Sequence, residues 1–89
     1  MNIRYAKKFS KDLEAISHDV KIRKRLLDLI EQIKRVDVLS EIAGTKIIEG
    51  YQDYFRIRVG DYRLGVKMTE NNIEMIRFLH RKEIYRRFP

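Results

Sequence analysis

From residue 54 the chain alternates in character: Phe55, Ile57 and Val59 are apolar, Arg56 and Arg58 basic, and after Gly60-Asp61 the alternation resumes through Tyr62, Arg63, Leu64, Val66 and Lys67. A period of two marks a half-buried strand. Gly60-Asp61 has the form of a two-residue hairpin loop, with the glycine supplying the positive φ of a type II′ turn. The register this turn sets pairs Val59 with Tyr62, Ile57 with Leu64 and Phe55 with Val66 on one face. On the other face Arg58 lies directly across from Arg63, Arg56 across from Gly65, and Tyr54 across from Lys67. Like charges opposed on one sheet face repel, so this hairpin face asks for an explanation.

Elsewhere the period changes. Residues 2 to 5, NIRY, suggest a short strand with Ile3 and Tyr5 on one face. Phe9, Leu13 and Ile16 follow at i, i+4, i+7, one stripe of an amphipathic helix. Ser17, His18 and Asp19 break that stripe, and Ser17 or Asp19 can cap the next helix. Ile22, Leu26, Leu29, Ile30 and Ile33 trace a longer helix to about residue 37. Its outer face carries Lys21, Arg23, Lys24, Arg25, Lys34 and Arg35, diluted by Asp28 and Glu31, and reads as a solvated helix surface. Residues 40 to 53 form a connection. Residues 73 to 80, IEMIRFLH, are apolar enough for an interior strand in either of two registers: Ile76 and Phe78 face the helices, or Met75 and Leu79 do. RKEIYRRFP ends the chain as one or two helical turns. The order β-α-α-β-β-β-(α) predicts an α+β fold, with an N-terminal strand and two helices packed on one face of a small, largely antiparallel sheet. The arginine face of the hairpin is then the open one.

Composition narrows the chemistry. The 89 residues, without a linker or internal repeat, suit one domain spanning 1–89. There is no cysteine, which removes disulfides, thiolate metal sites and a cysteine nucleophile. No apolar h-region or membrane-length apolar run is present, so a cytoplasmic protein without a membrane partner is expected. Twenty Lys and Arg against thirteen Asp and Glu leave +7, a balance suited to nucleic acid, the ribosome, an anionic membrane or an acidic protein. From Arg77 to Arg87 five basic residues and His80 accompany a single Glu.

Standard catalytic signatures are missing: there is no phosphate loop, HExxH or calcium-loop pattern, and Ser10, Ser17 and Ser40 lack a triad spacing. Asp53 and Asp61, at the mouth and turn of the hairpin, are too few to converge on metal ions, so neither a metal nor another cofactor is expected. What remains is Arg56, Arg58, Arg63, Lys67, His80, Arg81 and Tyr85. Arg81 and Tyr85 stand four residues apart, one face of a helix beginning near residue 81. Such a set suits RNA cleavage, because RNA carries its own nucleophile, the 2′-OH. An enzyme then supplies a base, an acid, and cations for the charge that develops on phosphorus. His80 can serve as acid or base near neutrality. A tyrosine serves as base only where neighbouring cations favour the phenolate, a service open to Arg56, Arg63 and Arg81. The same residues also fit an ordinary wet sheet face, a structural histidine, and a tyrosine packed with Phe88 on the sheet edge.

The segments DYFRIRVGDYRLGVKM and IRFLHRKEIYRRF resemble the RelE/ParE superfamily of toxins from toxin–antitoxin pairs. In that family a strand of the form Y-x-hydrophobic-R-x-G-x-Y-R precedes one ending H-R-x-x-hydrophobic-Y, and the resemblance covers essentially the whole chain. It implies helices packed on one face of a small antiparallel sheet. For RelE-like members it implies ribosome-dependent, metal-independent cleavage of mRNA in the decoding A site, with a cognate antitoxin as partner. By this resemblance Arg63 matches the catalytic arginine and Arg81 a second cation acting as acid or charge stabiliser. Tyr85 matches the tyrosine that orients or deprotonates the nucleophile, and His80 a position that is histidine in only some members. Arg56 and Arg58 match basic residues on the RNA backbone, and Lys67, Lys82 and Arg86 extend that contact. Arginines stand where some members carry lysines; a guanidinium stays protonated, which moves base duty to Tyr85 or His80. The alternatives are a ParE-like inhibitor of DNA gyrase and a non-catalytic member that only binds antitoxin or nucleic acid.

Overall fold

A computed structural model describes residues 1–89. Strand β1 (Asn2–Tyr5) leads into helix α1 (Lys7–Ala15) and helix α2 (Val20–Arg35), followed by a 3-10 turn at Leu39–Glu41. Strands β2 (Thr45–Ile47), β3 (Tyr54–Val59), β4 (Tyr62–Met68) and β5 (Asn72–His80) come next, and helix α3 (Arg81–Arg87) ends the chain. The sheet order is β1-β5-β4-β3-β2; β1 runs parallel to β5 and the remaining pairs are antiparallel. The sheet is therefore mixed. It also holds one more strand than the alternation indicated, because β2 lies inside the expected connection and its three residues are too few to display a period.

Local chemistry accounts for the elements. Asp19 rather than Ser17 caps α2, its Oδ1 accepting from Ile22 N at 3.1 Å. Gly60 has φ +58° and Asp61 stays at negative φ, as a type II′ turn requires, and the β3–β4 register is the one the turn predicts, Arg58 opposite Arg63 included. The apolar stripes of α1 and α2 meet the sheet face carrying Ile57, Val59, Leu64 and Val66, in a core of sixteen buried residues. Phe9, Leu26 and Ile33 are its innermost helical members. Each such side chain contributes about 1.5–3 kcal/mol by leaving water.

β5 resolves its two registers by using parts of both. Gly65 pairs with Arg77 and Val66 with Met75, so Ile76 is the extra residue of a bulge. Ile73 and Met75 face α1 and α2 before the bulge and Phe78 does so after it, while Leu79 turns to the other side. There Leu79 meets Ile84 and Phe88 of the C-terminal segment, with Ile48, Tyr54 and Ile76 around them. The face expected to be open is thus partly roofed by α3. The reason is that Ile84 and Phe88 make α3 amphipathic enough to need an apolar floor, and Leu79 provides one.

Arg77 also departs from expectation. It belongs to no exposed basic cluster: its guanidinium is buried and pairs with Asp12 of α1, Nε to Oδ2 at 2.8 Å and Nη2 to Oδ1 at 3.0 Å. The same Asp12 Oδ2 accepts from the Phe78 backbone N at 2.9 Å. Strand β1 pairs with β5 only as far as Met75, so the outer edge of β5 lacks a partner strand at Phe78. The Asp12 carboxylate takes the place of the missing carbonyl.

Candidate functional site

Four expected cations lie on the α3 side of the hairpin, in two rows. Arg58 and Arg63 face each other next to the turn, Arg56 sits beside Gly65 in the middle, and Lys67 lies opposite Tyr54 at the far end. None of the four forms an ion pair. Arg63 is anchored on its own turn: Nη1 donates to Gly60 O and to Tyr62 O, both at 2.9 Å. Of its five N–H donors, those on Nε and Nη2 stay available for an anion.

Tyr85 is the counterpart on α3. It is 62% exposed rather than packed, and the Arg56 guanidinium carbon lies 4.7 Å from its ring centre. Phe88, not Tyr85, packs down on the sheet, its ring lying over Gly65 where a Cβ would come within 2.8 Å of it. A glycine at 65 therefore sets how closely α3 approaches β4, and with that the position of Tyr85 over Arg56. Tyr85, Arg86, Arg56, Tyr51 and Ile48 line one shallow depression. Arg86 pairs with Glu83 within α3, so its charge is partly engaged.

His80 and Arg81 join β5 to α3 at the turn end of the sheet. The Arg81 backbone N donates to Asp61 O at 2.8 Å, tying the start of α3 to the hairpin loop. Arg81 and Lys82 are exposed. His80 is the N-cap of α3, with Nδ1 accepting from Lys82 N at 3.2 Å. A neutral imidazole that accepts through Nδ1 carries its proton on Nε2. Its ring is edge-on to Tyr62 at 5.6 Å, and Tyr62 stacks on Phe78 at 5.2 Å. The ladder sets His80 beside Tyr62, on the core face of the sheet, opposite to the face carrying Arg63. Lys67 is likewise set apart: its ammonium rests 5.4 Å from the Tyr54 ring centre, at the other end of the hairpin.

The fold brings in two cations that the pattern left elsewhere. Lys46 of β2 lies directly across from Arg56, extending the basic row by one strand. Arg25, read as part of the solvated face of α2, lies against the hairpin turn: a Cβ at Gly60 would stand 2.7 Å from its Nη1. It shares a depression with Arg58. Neither has a signature in sequence, since one depends on a three-residue strand and the other on how α2 crosses the sheet. Arranged in this way, the cations can hold a polyanionic strand along the sheet, with one phenol beside them.

Comparison with known proteins places the fold in a family. Residues 3–85 match the family model described as the ParE toxin of the type II toxin–antitoxin system parDE. The chain is 41% identical, over the full length of both proteins, to Toxin RelE3 of Methanocaldococcus jannaschii. Among solved structures it resembles the RelB–RelE antitoxin–toxin complex from Methanococcus jannaschii, with a TM-score of 0.82 at 41% identity, covering 97% of this chain and 99% of that one. It also resembles the Escherichia coli DinJ–YafQ complex, with a TM-score of 0.77 at 21% identity over 94% of this chain and 97% of that one, a likeness of fold. The chain belongs to the RelE/ParE superfamily of toxins.

Proposed function

We propose that this toxin is a ribosome-dependent endoribonuclease that cleaves mRNA in the decoding A site by attack of the 2′-OH on the adjacent phosphate, without a metal ion. The observation that carries this reading is the Arg56–Tyr85 stack, 4.7 Å from guanidinium carbon to ring centre, on the sheet face that also bears Arg63 and Arg58. In the step, the 2′-oxygen bonds to phosphorus and the bond from phosphorus to the 5′-oxygen breaks. The 2′-OH proton passes to a base and the 5′-oxygen takes a proton, leaving a 2′,3′-cyclic phosphate and a 5′-hydroxyl. Tyr85 is the base, or orients the nucleophile, beside the Arg56 charge. Arg63, held by two carbonyls, stabilises the phosphorane with its remaining donors, and Arg81 supports the leaving oxygen. His80, set on the opposite sheet face, acts through α3, whose first turn it caps, rather than on the phosphate itself. Arg56, Arg58, Lys67, Lys82 and Arg86 track the backbone.

A cognate antitoxin is the second partner. An acidic segment laid over the arginine face, blocking or displacing α3, accounts for a surface that places like charges opposite one another. A relative solved as a RelB–RelE antitoxin–toxin complex supports an antitoxin as partner.

The test is a reconstituted translation reaction with the antitoxin-free chain, mapping mRNA ends by primer extension. Wild type is expected to cut within codons only when ribosomes are present, leaving cyclic phosphate ends. Arg63→Ala should slow cutting by about 10²–10³-fold, the loss seen when one preorganised donor is removed. Tyr85→Phe keeps the stacked ring and should abolish most cleavage while RNA and antitoxin binding persist. Intact mRNA from folded wild type would overturn the reading. The ParE description of the matching family model favours gyrase inhibition as the second reading, and a supercoiling assay distinguishes it.

A further inference from the structure

At the end of β3 and β4 remote from the Gly60-Asp61 turn, a groove of about 710 Å³ runs between the segment that follows α2 and the edge strand β2. Its walls are apolar, with Val36, Val38, Ile47, Phe55 and Met68 among them. Val38 is 52% and Ile47 61% exposed, large apolar side chains left in water at the rim. Three carboxylates also line it, Asp37, Asp53 and Glu70, and none forms an ion pair. In a chain with twenty Lys and Arg against thirteen acids, no Lys or Arg side chain lines this groove. The one cation is the α-ammonium of Met1, which is spent on Lys34 O and Val36 O. The groove is thus an acidic, apolar site on a basic protein, away from the arginine face.

The free backbone groups of β2 show what kind of ligand fits. The ladder of β2 with β3 uses Gly44 O and Ile48 N, which pair with Arg58 N and Tyr54 O. By the alternation of an antiparallel pair, the N–H and C=O groups of Thr45 and Ile47 point outward from the sheet. β2 is the end strand on this side, and its bare edge lies along the groove. An extended segment can therefore add as a sixth strand, its backbone meeting Thr45 and Ile47 and its alternate side chains entering the groove.

We infer that this groove binds an extended segment of a partner protein, one that carries apolar side chains flanked by Lys or Arg and adds as a strand to the β2 edge. Charge complementarity sets the choice: an acidic segment would be repelled by Asp37, Asp53 and Glu70 and drawn to the opposite face. The arginine face stays uncovered by such a partner, so both surfaces can be occupied together. The inference does not depend on the proposed nuclease activity.

The experiment is a titration of the isotope-labelled full chain, followed by NMR, with a capped heptapeptide having a Leu-Val-Leu centre flanked on each side by Arg and Lys. The counterpart has Glu at all four flanking positions. The basic peptide is expected to shift the amides of residues 36–40, Thr45 and Ile47, and to slow hydrogen exchange at Thr45 and Ile47. It should bind there at least tenfold more tightly than the Glu peptide. The triple variant D37N/D53N/E70Q changes only exposed side chains and should weaken binding at least tenfold; Ile47→Ser should do the same. Absence of binding, equal binding of the Glu peptide at these amides, or shifts confined to the arginine face would each overturn the inference.

Discussion

At the scale of single residues, Asp12 does two jobs with one carboxylate: it neutralises the buried Arg77 and satisfies the bare Phe78 amide. The Asp12 hydrogen bond holds the Arg77 pKa above the ordinary guanidinium value against the opposing effect of burial. A raised pKa stabilises the fold fully below the unfolded-state value and is lost only as pH rises through the higher folded-state one, so mild alkali leaves this charge in place. Removing the acid is another matter. Asp12→Ala is expected to destabilise the protein by about 3–5 kcal/mol, because an unpaired guanidinium stays buried. The double variant with Arg77→Met should recover much of that loss, since no charge is then stranded. Chemical denaturation of the four proteins measures the coupling; equal losses for the single and double variants would refute it. The sequence concealed this pair completely, for Asp12 and Arg77 are 65 positions apart and each looks like an ordinary surface charge.

At the scale of elements, α3 is held by Ile84 and Phe88 packed on Leu79 among Ile48, Tyr54 and Ile76, by Tyr85 on Arg56, by the His80 cap, and by the Arg81 amide on Asp61. Gly65 makes the Phe88 contact possible. In Gly65→Ala the new Cβ would meet the Phe88 ring at 2.8 Å, so the ring must leave and α3 must lift. The expected result is faster hydrogen exchange in residues 81–88, with the core strands still protected and a stability loss of about 1–3 kcal/mol. RNA cleavage should fall along with it, as Tyr85 loses its place over Arg56. Unchanged exchange in α3 would show that the ring adjusts without cost. Here the pattern was legible in part. The closing helical turns were expected, with Arg81 and Tyr85 on one face, yet nothing local told which sheet face they would cover. That depended on the Ile76 bulge, which turns Leu79 toward α3, and a bulge leaves no mark in an apolar run.

At the scale of the whole molecule, charge is sorted by surface. The arginine face gathers Arg56, Arg58, Arg63 and Lys46 without an ion pair, while the groove at the other end of the hairpin gathers Asp37, Asp53 and Glu70. Binding of single-stranded RNA to the isolated chain should therefore weaken steeply with salt, and the logarithmic slope should fall by about 0.7 for each phosphate contact removed. Arg58→Ala is expected to lower that slope by one such step, and Arg25→Ala to do likewise, whereas D37N/D53N/E70Q should leave it unchanged. A filter-binding series across salt concentrations checks all three. A slope unaffected by Arg58→Ala would remove that residue from the RNA surface.

The sequence by itself determined whatever depends on neighbours a few residues apart. The hairpin register follows from a two-residue loop and a period of two, the α2 start from the Asp19 cap, and the amphipathic faces of α1 and α2 from their apolar stripes. The candidate site residues were legible for the same reason: they sit in two short segments whose patterns carry the family resemblance. Only the tertiary structure decided the rest. It roofed the arginine face with α3, moved Arg77 from the basic cluster into a buried pair, set His80 on the core side as a cap, and brought Arg25 and Lys46 beside the hairpin cations. Each of those outcomes turns on contacts between segments far apart in sequence. Their energies depend on which surfaces meet, and no local period or spacing encodes that meeting.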